Sequence, residues 1–297
     1  MLEETKKKNW YDRNYKSILI VPALLLIFSI VYLFNFNIKN EDIVYKDVSL
    51  TGGTSVTLID SNVDLVQLKD SLISKFDDIA IRQISDFGTG SQKGLVIETK
   101  ADAEEIKKAL EEYLGYELNQ KNSSIEFSGS ALSLGFYQQL RIAIIIAFTL
   151  MAIVVFIIFK TFVPSFAVIL SAFVDIVMTI VTVDLFGMHL SIAGIIGFLM
   201  LIGYSVDTDI LLTSRVVKRS EGTVNEKIYG AFKTGITMTL TSMAAVGVSL
   251  IIIYSLSNVL RQIFTILLIG LIFDIFNTWV TNASIIKWYA ESKRRLR

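Results

Sequence analysis

The sequence predicts an α-helical membrane protein with six spanning helices and one folded α+β domain outside the bilayer. Hydrophobic residues make up 53% of the 297 residues, more than a soluble core of this size requires. Six apolar stretches each reach about 20 residues, the length that crosses roughly 30 Å of hydrocarbon as a helix. A charged segment, residues 37–139, separates the first stretch from the other five and supplies the outer domain.

Cysteine and histidine usage restricts the chemistry of the chain. With no Cys, the sequence excludes disulfides, thiolate metal sites and thiol catalysis, and the single histidine, His189, leaves little for a metal centre. We expect no cofactor, no metal, no catalytic residue and no enzymatic activity. No nucleic-acid partner is expected either. The 28 basic and 28 acidic residues cancel, but this balance conceals charges that are sorted by region.

The N-terminal residues predict a cytoplasmic tail over residues 1–16, followed by the first span over residues 17–36. The tail is polar and combines aromatic residues with a set of basic ones, which suits a membrane interface. These basic residues are Lys6, Lys7, Lys8, Arg13 and Lys16. The span is longer than the apolar part of a cleaved signal peptide, which has about 7 to 15 residues, so we expect it to remain as a helix.

Residues 37–139 predict an extracytoplasmic domain with the ferredoxin-like β-α-β-β-α-β order. The segment contains 17 acidic and 10 basic residues, unlike the apolar segments around it. Strands are expected over residues 55–59, 79–84, 95–99 and 124–128, and a helix over residues 64–76. Asp102 is expected to cap the second helix, with Glu105 at the capping-box position.

Five further spans are predicted within residues 140–286, before a cytoplasmic tail over residues 287–297. They cover residues 141–159, 162–186, 190–212, 231–255 and 262–286. Basic residues gather in the tail and in the loop between the fourth and fifth spans, and the positive-inside rule assigns these parts to the cytoplasm. The sequence thus predicts a multi-pass protein of the cell membrane with both termini cytoplasmic.

Carboxylates inside the spans are the main functional candidates. Asp175, Asp207 and Asp274 lie well inside apolar stretches, where an ionised side chain costs about 2.5 to 3.5 kcal/mol at the membrane centre. Asp207 and Asp209 are two residues apart, about 200° around a helix, so they cannot both point into one small cavity. Lys233 can extend its stem toward the level of Asp207. Which of the two neighbouring carboxylates functions stays open.

Polar residues in the last two spans form stripes. In the sixth span the stripe has the spacing of one helical face and comprises Asp274, Asn277, Thr278, Thr281 and Asn282. In the fifth span a looser stripe contains Lys233, Thr234, Thr237 and Thr241. Such stripes are expected to face other helices or a wet channel. Two structural alternatives remain: the threonines bond their own backbone, and Asp209 pairs with Arg215.

Several motifs together carry a family resemblance. They are Gly203-Tyr204-Ser205-Val206-Asp207-Thr208-Asp209 with the later Arg215, the element Leu50-Thr51-Gly52-Gly53-Thr54, and Val174-Asp175. With the order of one span, an outer domain and five spans, they resemble the SecD/SecF family of protein-export membrane proteins, in the resistance-nodulation-division superfamily. The chain is similar to half of a twelve-span transporter. Thr208 stands where bacterial members have an acidic residue, and Lys233 where they have arginine, so the resemblance is to the archaeal branch.

This resemblance implies a function in protein export. It implies a SecD-like partner subunit, the Sec channel and unfolded secretory polypeptides as further partners, and proton-driven movement of the outer domain through the intramembrane carboxylates. Gly52 and Gly53 are hinge candidates before the first strand. One alternative is half of an exporter for small molecules or lipids. An intramembrane aspartyl protease and a purely structural scaffold are two others, although the Tyr-Asp and Gly-x-Gly-Asp pattern of those proteases is absent.

Overall fold

The computed structural model describes residues 10–60, 63–76, 79–85, 91–218, 221–254 and 257–295. Lys6, Lys7 and Lys8 of the predicted tail lie outside these ranges. The chain forms two compact units. The membrane unit contains Met1–Tyr45, Ala143–Met188 and Ala193–Arg297, and the outer unit contains Lys46–Ile142 and His189–Ile192.

Four strands lie between the third and sixth helices, and all the other elements are helical. In chain order, the elements are α1 (Trp10–Ile18), α2 (Ile20–Asn40), α3 (Val48–Thr51), β1 (Gly53–Leu58), α4 (Leu65–Ile73), β2 (Ala80–Ser85), β3 (Gln92–Thr99), α5 (Ala103–Leu114), β4 (Ser123–Ser128), α6 (Ser130–Phe159), α7 (Phe162–Leu185), α8 (Ile192–Lys218), α9 (Val224–Ile253), α10 (Asn258–Phe276), a π-helical segment (Asn277–Asn282) and α11 (Ala283–Arg295).

The outer unit is built on an antiparallel sheet with the strand order β2-β3-β1-β4. This order, with α4 and α5 as the two connecting helices, confirms the predicted ferredoxin-like domain. Alternate residues of β1 and β3 point to one face, and there they pack with apolar residues of both helices. The buried core includes Val56, Leu58, Leu68, Leu72, Leu95, Ile97, Ile106 and Leu110.

Two helix starts in this unit differ from each other. Asp64 caps α4, and its carboxylate accepts hydrogen bonds from the amides of Val66 and Gln67 at 2.8 and 3.3 Å. Asp102 occupies the N-cap position of α5, as predicted, but its side chain makes no capping hydrogen bond. The capping box expected between Asp102 and Glu105 is therefore wrong, although the helix begins at the predicted place.

Gly52 and Gly53 form the turn between α3 and β1. Their φ angles are 85° and 131°, in the region that favours glycine. A Cβ atom on Gly53 would lie 2.3 Å from the carbonyl oxygen of Thr99. Gly53 also pairs with Ser128 in the sheet. Close approach of two strands thus explains why glycine stands here, and the hinge remains a prediction.

Six helices in the described residues are long and apolar enough to span a membrane, which agrees with the predicted number. Several extend beyond the apolar stretches that predicted them: the first spanning helix runs from Arg13 to Asn40 and the fourth from Ile192 to Lys218. The last continues through α11, so the predicted tail over residues 287–297 is helical as far as Arg295. Hydropathy marks the width of the hydrocarbon, whereas backbone hydrogen bonding continues into the interface.

Close packing of α8 against α10 depends on glycine. A Cβ atom on Gly270 would lie 2.4 Å from the methyl carbons of Leu201, and one on Gly197 would lie 3.4 Å from Ile266. Small residues let helix backbones approach in a membrane, where packing replaces the hydrophobic driving force. This close contact brings the polar residues of α8 next to those that follow Gly270 on α10.

The π-helical segment Asn277–Asn282 comes directly after α10. It contains most of the polar stripe predicted for the sixth span, and Asn277, Thr278, Thr281 and Asn282 are buried in it. The prediction allowed other helices or a wet channel, and the structure buries these residues against α7 and α8. A π-helical turn widens the helix and is frequent at functional sites.

Candidate functional site

Three aspartates from three helices meet inside the membrane unit. Asp175 of α7, Asp209 of α8 and Asp274 of α10 each place a carboxylate oxygen within 4.8 Å of the other two. Their relative exposures are 0%, 0% and 1%. We call these three side chains the carboxylate cluster.

Asp175 accepts two short hydrogen bonds from other elements. Ser205 Oγ of α8 donates at 2.5 Å to one oxygen, and Asn277 Nδ2 of the π-helical segment donates at 2.6 Å to the other. Thr281 Oγ1 lies 3.2 Å from Asn277 Oδ1, which supports the orientation of that amide. Asp175 therefore connects α7, α8 and the last spanning helix.

Asp274 is surrounded by hydroxyl groups. Thr208 Oγ1 lies 3.1 Å from both of its carboxylate oxygens, Thr278 Oγ1 lies 3.2 Å from one, and Thr239 Oγ1 lies 3.4 Å from the other. Thr208 lies between Asp207 and Asp209 in the sequence, and its hydroxyl contacts the Asp274 carboxylate. These contacts bring α8, α9 and α10 together at one carboxylate.

Asp209 is held by the last polar residue of the π-helical segment. Asn282 Nδ2 donates at 2.7 Å to Asp209 Oδ1 and at 3.4 Å to its backbone carbonyl. Thr213 Oγ1 lies 3.4 Å from both Oδ1 and Nδ2 of Asn282. Arg215 instead donates to the Gly230 carbonyl and to Thr234, so the alternative pairing of Asp209 with Arg215 is wrong.

The donors around the cluster suit carboxyl groups that gain and lose protons. Two unit charges 4.8 Å apart repel by about 3.5 kcal/mol at an effective dielectric constant of 20, so three buried charges together are costly. Hydroxyl groups either donate or accept, and they follow a carboxyl between its charged and neutral forms. Both amides point their NH2 groups toward the oxygens, which stabilises remaining negative charge.

Asp207 and the predicted stripe of α9 lie elsewhere. Asp207 is exposed on a different face of α8 from Asp209, as their spacing required. Lys233, Thr237 and Thr241 are also exposed, and no ion pair joins Lys233 to Asp207 within the described ranges. Both threonines donate to the carbonyl oxygen four residues earlier, at 2.8 and 2.7 Å. For these two, the alternative of bonding their own backbone is what the structure shows.

Sequence reasoning gave too little weight to three hydroxyl residues that contact the cluster: Ser205, Thr208 and Thr239. Ser205, Thr208 and Asp209 follow an i, i+3, i+4 spacing, which places them on one helical face. That spacing was visible in the sequence, but Tyr204, Asp207 and Thr208 share it, so it did not decide between Asp207 and Asp209.

Six spanning helices, a ferredoxin-like domain inserted after the first, and a buried carboxylate cluster define a multi-pass membrane protein with the fold of resistance-nodulation-division transporters. Residues 106–292 match the family described as "Protein export membrane protein SecD/SecF, C-terminal". The chain is 39% identical over 287 residues to the protein-export membrane protein SecF of Methanolacinia petrolearia, covering 95% of this chain and 97% of that one. It is 38% identical over 288 residues to SecF of Methanocaldococcus jannaschii, with coverage of 95% and 98%. The chain belongs to the SecD/SecF family.

Solved structures support the same fold. The crystal structure of SecDF from Thermus thermophilus, a translocon-associated membrane protein, aligns with a TM-score of 0.78 at 18% identity. The alignment covers 97% of this chain and 40% of SecDF. The chain thus spans less than half the length of that protein.

Proposed function

We propose that this chain is a subunit of the Sec protein-export machinery, and that it acts with a SecD-like subunit to promote passage of unfolded polypeptides across the cytoplasmic membrane. The family and the names of the archaeal relatives support the export function. They do not favour the alternative of half an exporter for small molecules or lipids. The role is mechanical and not enzymatic.

The carboxylate cluster is the observation that carries the proposed mechanism. Protons from the outer side bind at Asp175, Asp209 and Asp274 and leave toward the cytoplasm. A carboxylate accepts hydrogen bonds, whereas a neutral carboxyl also donates one. Each proton that binds therefore reorients the hydroxyl groups around the cluster and changes which positions of their helices are favoured. Moving one charge through the membrane field supplies about 2.3 kcal/mol per 100 mV.

The proposed movement follows the connections of the cluster. Hydrogen bonds to Asp175 and Asp274 join α7, α8, α9 and α10, so a change in one carboxyl shifts several helices together. These helices then move the outer domain, which lies on the extracytoplasmic side when both termini are cytoplasmic. Gly52, with a φ of 85°, is the proposed hinge residue before β1. The domain acts on polypeptides that emerge from the Sec channel.

A SecD-like subunit is proposed to cover the exposed polar groups of the spans. Asp207 of α8 and Lys233 of α9 are exposed in the isolated chain, and lipid disfavours such groups by about 2.5 to 3.5 kcal/mol at the membrane centre. Ile196, Met200 and Tyr204 are exposed on the same side of α8. The SecDF likeness, which covers 40% of that chain, leaves room for a second membrane half.

The test compares two substitutions that lie two residues apart on α8. The chain and a SecD-like subunit are expressed together, and export of a secreted reporter is followed with and without a proton gradient. Asp209→Asn is expected to reduce the gradient-dependent part of export at least about tenfold. The loss of one coupling proton removes about 2.3 kcal/mol per 100 mV of membrane potential, which is more than the roughly 1.4 kcal/mol that a tenfold change requires. Asp207→Asn is expected to lower recovery of the SecD-like subunit while gradient dependence persists.

Either half of the proposal can be rejected separately. Full gradient-dependent export in the triple variant Asp175→Asn, Asp209→Asn, Asp274→Asn would remove the proton mechanism. The export function would be rejected by two results together: the chain purifies without any SecD-like protein, and secretion is normal in cells that lack the chain.

A further inference from the structure

A second group of charged side chains, one buried and three half-buried, lies in the outer unit. Glu98 of β3 forms an ion pair with the guanidinium of Arg82 of β2, and Arg82 Nη2 is also 3.7 Å from Asp47 Oδ2. His189 Nδ1 lies 3.4 Å from Glu98 Oε2. Glu98 is only 4% exposed. We call Asp47, Arg82, Glu98 and His189 the outer cluster.

The outer cluster joins the sheet to the connection between α7 and α8. His189–Ile192, which contains this connection, belongs to the outer unit. The amide of Asp47 donates to the Leu190 carbonyl at 2.9 Å, and the amide of Ile192 donates to Ser49 Oγ at 3.2 Å. Lys46 and Leu190 form an isolated parallel bridge. Ile192 is also the first residue of α8, the helix that carries Asp209.

The charges in the outer cluster respond differently to acid. Burial and the nearby Glu98 carboxylate raise the pKa of Asp47 to about 6. Burial alone would also raise the pKa of Glu98, but the hydrogen bond with His189 and the charge of Arg82 outweigh it and lower that pKa. Asp47 is therefore the carboxyl that changes charge at mildly acidic pH, while Glu98 stays ionised.

Protonation of Asp47 decides whether two negative charges are present. A neutral Asp47 donates a hydrogen bond to Glu98, and Arg82 then balances the single carboxylate. An ionised Asp47 repels Glu98, and the single positive charge of Arg82 then has to balance two carboxylates. A protonated His189 adds a second cation beside Glu98. The adjacent Lys46 directs its ammonium over the ring of Tyr137, 5.3 Å from the centroid.

We propose that the outer cluster is a pH-dependent latch, which holds the α7–α8 connection on the outer domain at mildly acidic pH and loosens near neutral pH. Because this connection leads directly into α8, the pH of the outer solution then controls how firmly the start of that helix is held. The latch uses residues of the outer unit alone and does not depend on proton binding at Asp175, Asp209 or Asp274.

Hydrogen exchange measured by mass spectrometry tests the latch in the full chain. The protein is purified with a tag that contains no histidine, placed in lipid nanodiscs and labelled between pH 5 and pH 7.5. Rates for peptides that contain the amides of Asp47 and Ile192 are corrected for intrinsic exchange. With a pKa of about 6 while the connection is docked, and the ordinary aspartate pKa of 3.8 as the limit for a fully released Asp47, linkage predicts up to about tenfold greater protection at pH 5 than at pH 7.5.

Asp47→Asn is the decisive variant because its amide donates to Glu98 as a protonated carboxyl does, but cannot ionise. It is expected to show strong protection that no longer changes with pH. Asp102→Asn, at an exposed acid of the same unit that makes no capping hydrogen bond, is the matched control and is expected to keep the wild-type pH dependence.

Two results would overturn the latch. One is equal protection of both amides at pH 5 and pH 7.5 in the wild-type chain, which needs no variant and so stays decisive if a variant fails to fold. The other is an unchanged pH dependence in Asp47→Asn, which would assign the effect to another group.

Discussion

Replacing Asp175 by alanine sets two energetic effects against each other. The substitution leaves Ser205 Oγ and Asn277 Nδ2 without the acceptors they contact at 2.5 and 2.6 Å. Each buried donor left unpaired costs about 1 to 3 kcal/mol, about 4 kcal/mol together. Against this, removing a charge that lies no more than 4.8 Å from each of two ionised neighbours would relieve at least about 7 kcal/mol at an effective dielectric constant of 20. The sign of the stability change therefore reports whether the cluster is fully ionised.

We expect Asp175→Ala to destabilise the chain because the cluster shares protons and the lost hydrogen bonds dominate. A loss of about 4 kcal/mol corresponds to a decrease in Tm of roughly 8 °C, at about 2 °C per kcal/mol for a chain of this size. Asp175→Asn keeps one carbonyl acceptor and is expected to lose about half as much. Intrinsic fluorescence of the three tryptophans during heating in detergent measures both.

The control for this experiment is Asp207→Ala, at an exposed position on α8. Exposed substitutions usually change stability by less than about 0.5 kcal/mol, so its Tm is expected to move by no more than about 1 °C. A rise in Tm for Asp175→Ala would refute the reasoning, because charge repulsion would then exceed the hydrogen bonds.

Three further predictions concern packing and pH. Gly270→Ala is expected to lower Tm through overpacking worth about 1 to 3 kcal/mol, since its Cβ would lie 2.4 Å from Leu201; adding Leu201→Ala should recover part of the loss, and a wild-type Tm for the single variant would contradict the contact. Gly53→Ala is expected to lower the stability of the outer unit by at least about 2 kcal/mol, because of its φ of 131° and the facing Thr99 carbonyl. Faster proteolysis of the outer unit would show this loss. Gly129→Ala, at a position with open space, should leave the proteolysis rate unchanged. The pKa of Asp47, raised from 3.8 to about 6, means that outer-unit stability falls by up to roughly 3 kcal/mol as pH rises across this interval; denaturant titrations of Asp47→Asn should lack this slope.

Local pattern was sufficient for the number and order of elements. A spanning helix is recognised from the composition of a few helical turns, and a strand such as β1 or β3 from a few neighbouring residues. Both signals are local, so they can be read from the sequence. Helix ends were less predictable, because α8 and α11 continue past the apolar residues that identify a span. The stripe from Asp274 to Asn282 was predictable as one face, but the π-helical form of Asn277–Asn282 was not, since it depends on neighbouring helices.

Long-range contacts decided which polar residues meet. Glu98 and His189 are 91 positions apart in the sequence, and neither residue carries a local sign that it contacts the other. Asp175 and Asn277 are likewise distant, and each is polar in a helix without any local sign of its partner.

The sequence by itself determined the class of membrane protein, the inserted ferredoxin-like domain and the presence of costly carboxylates within the spans. Hydrophobic length, periodicity and motif spacing are properties of the chain alone. Only the tertiary structure decided that Asp209, and not Asp207, joins Asp175 and Asp274, because the two neighbours point about 200° apart on α8. Which side of a helix is buried depends on the helices that pack against it, and here Gly270 lets α10 approach the side that carries Asp209.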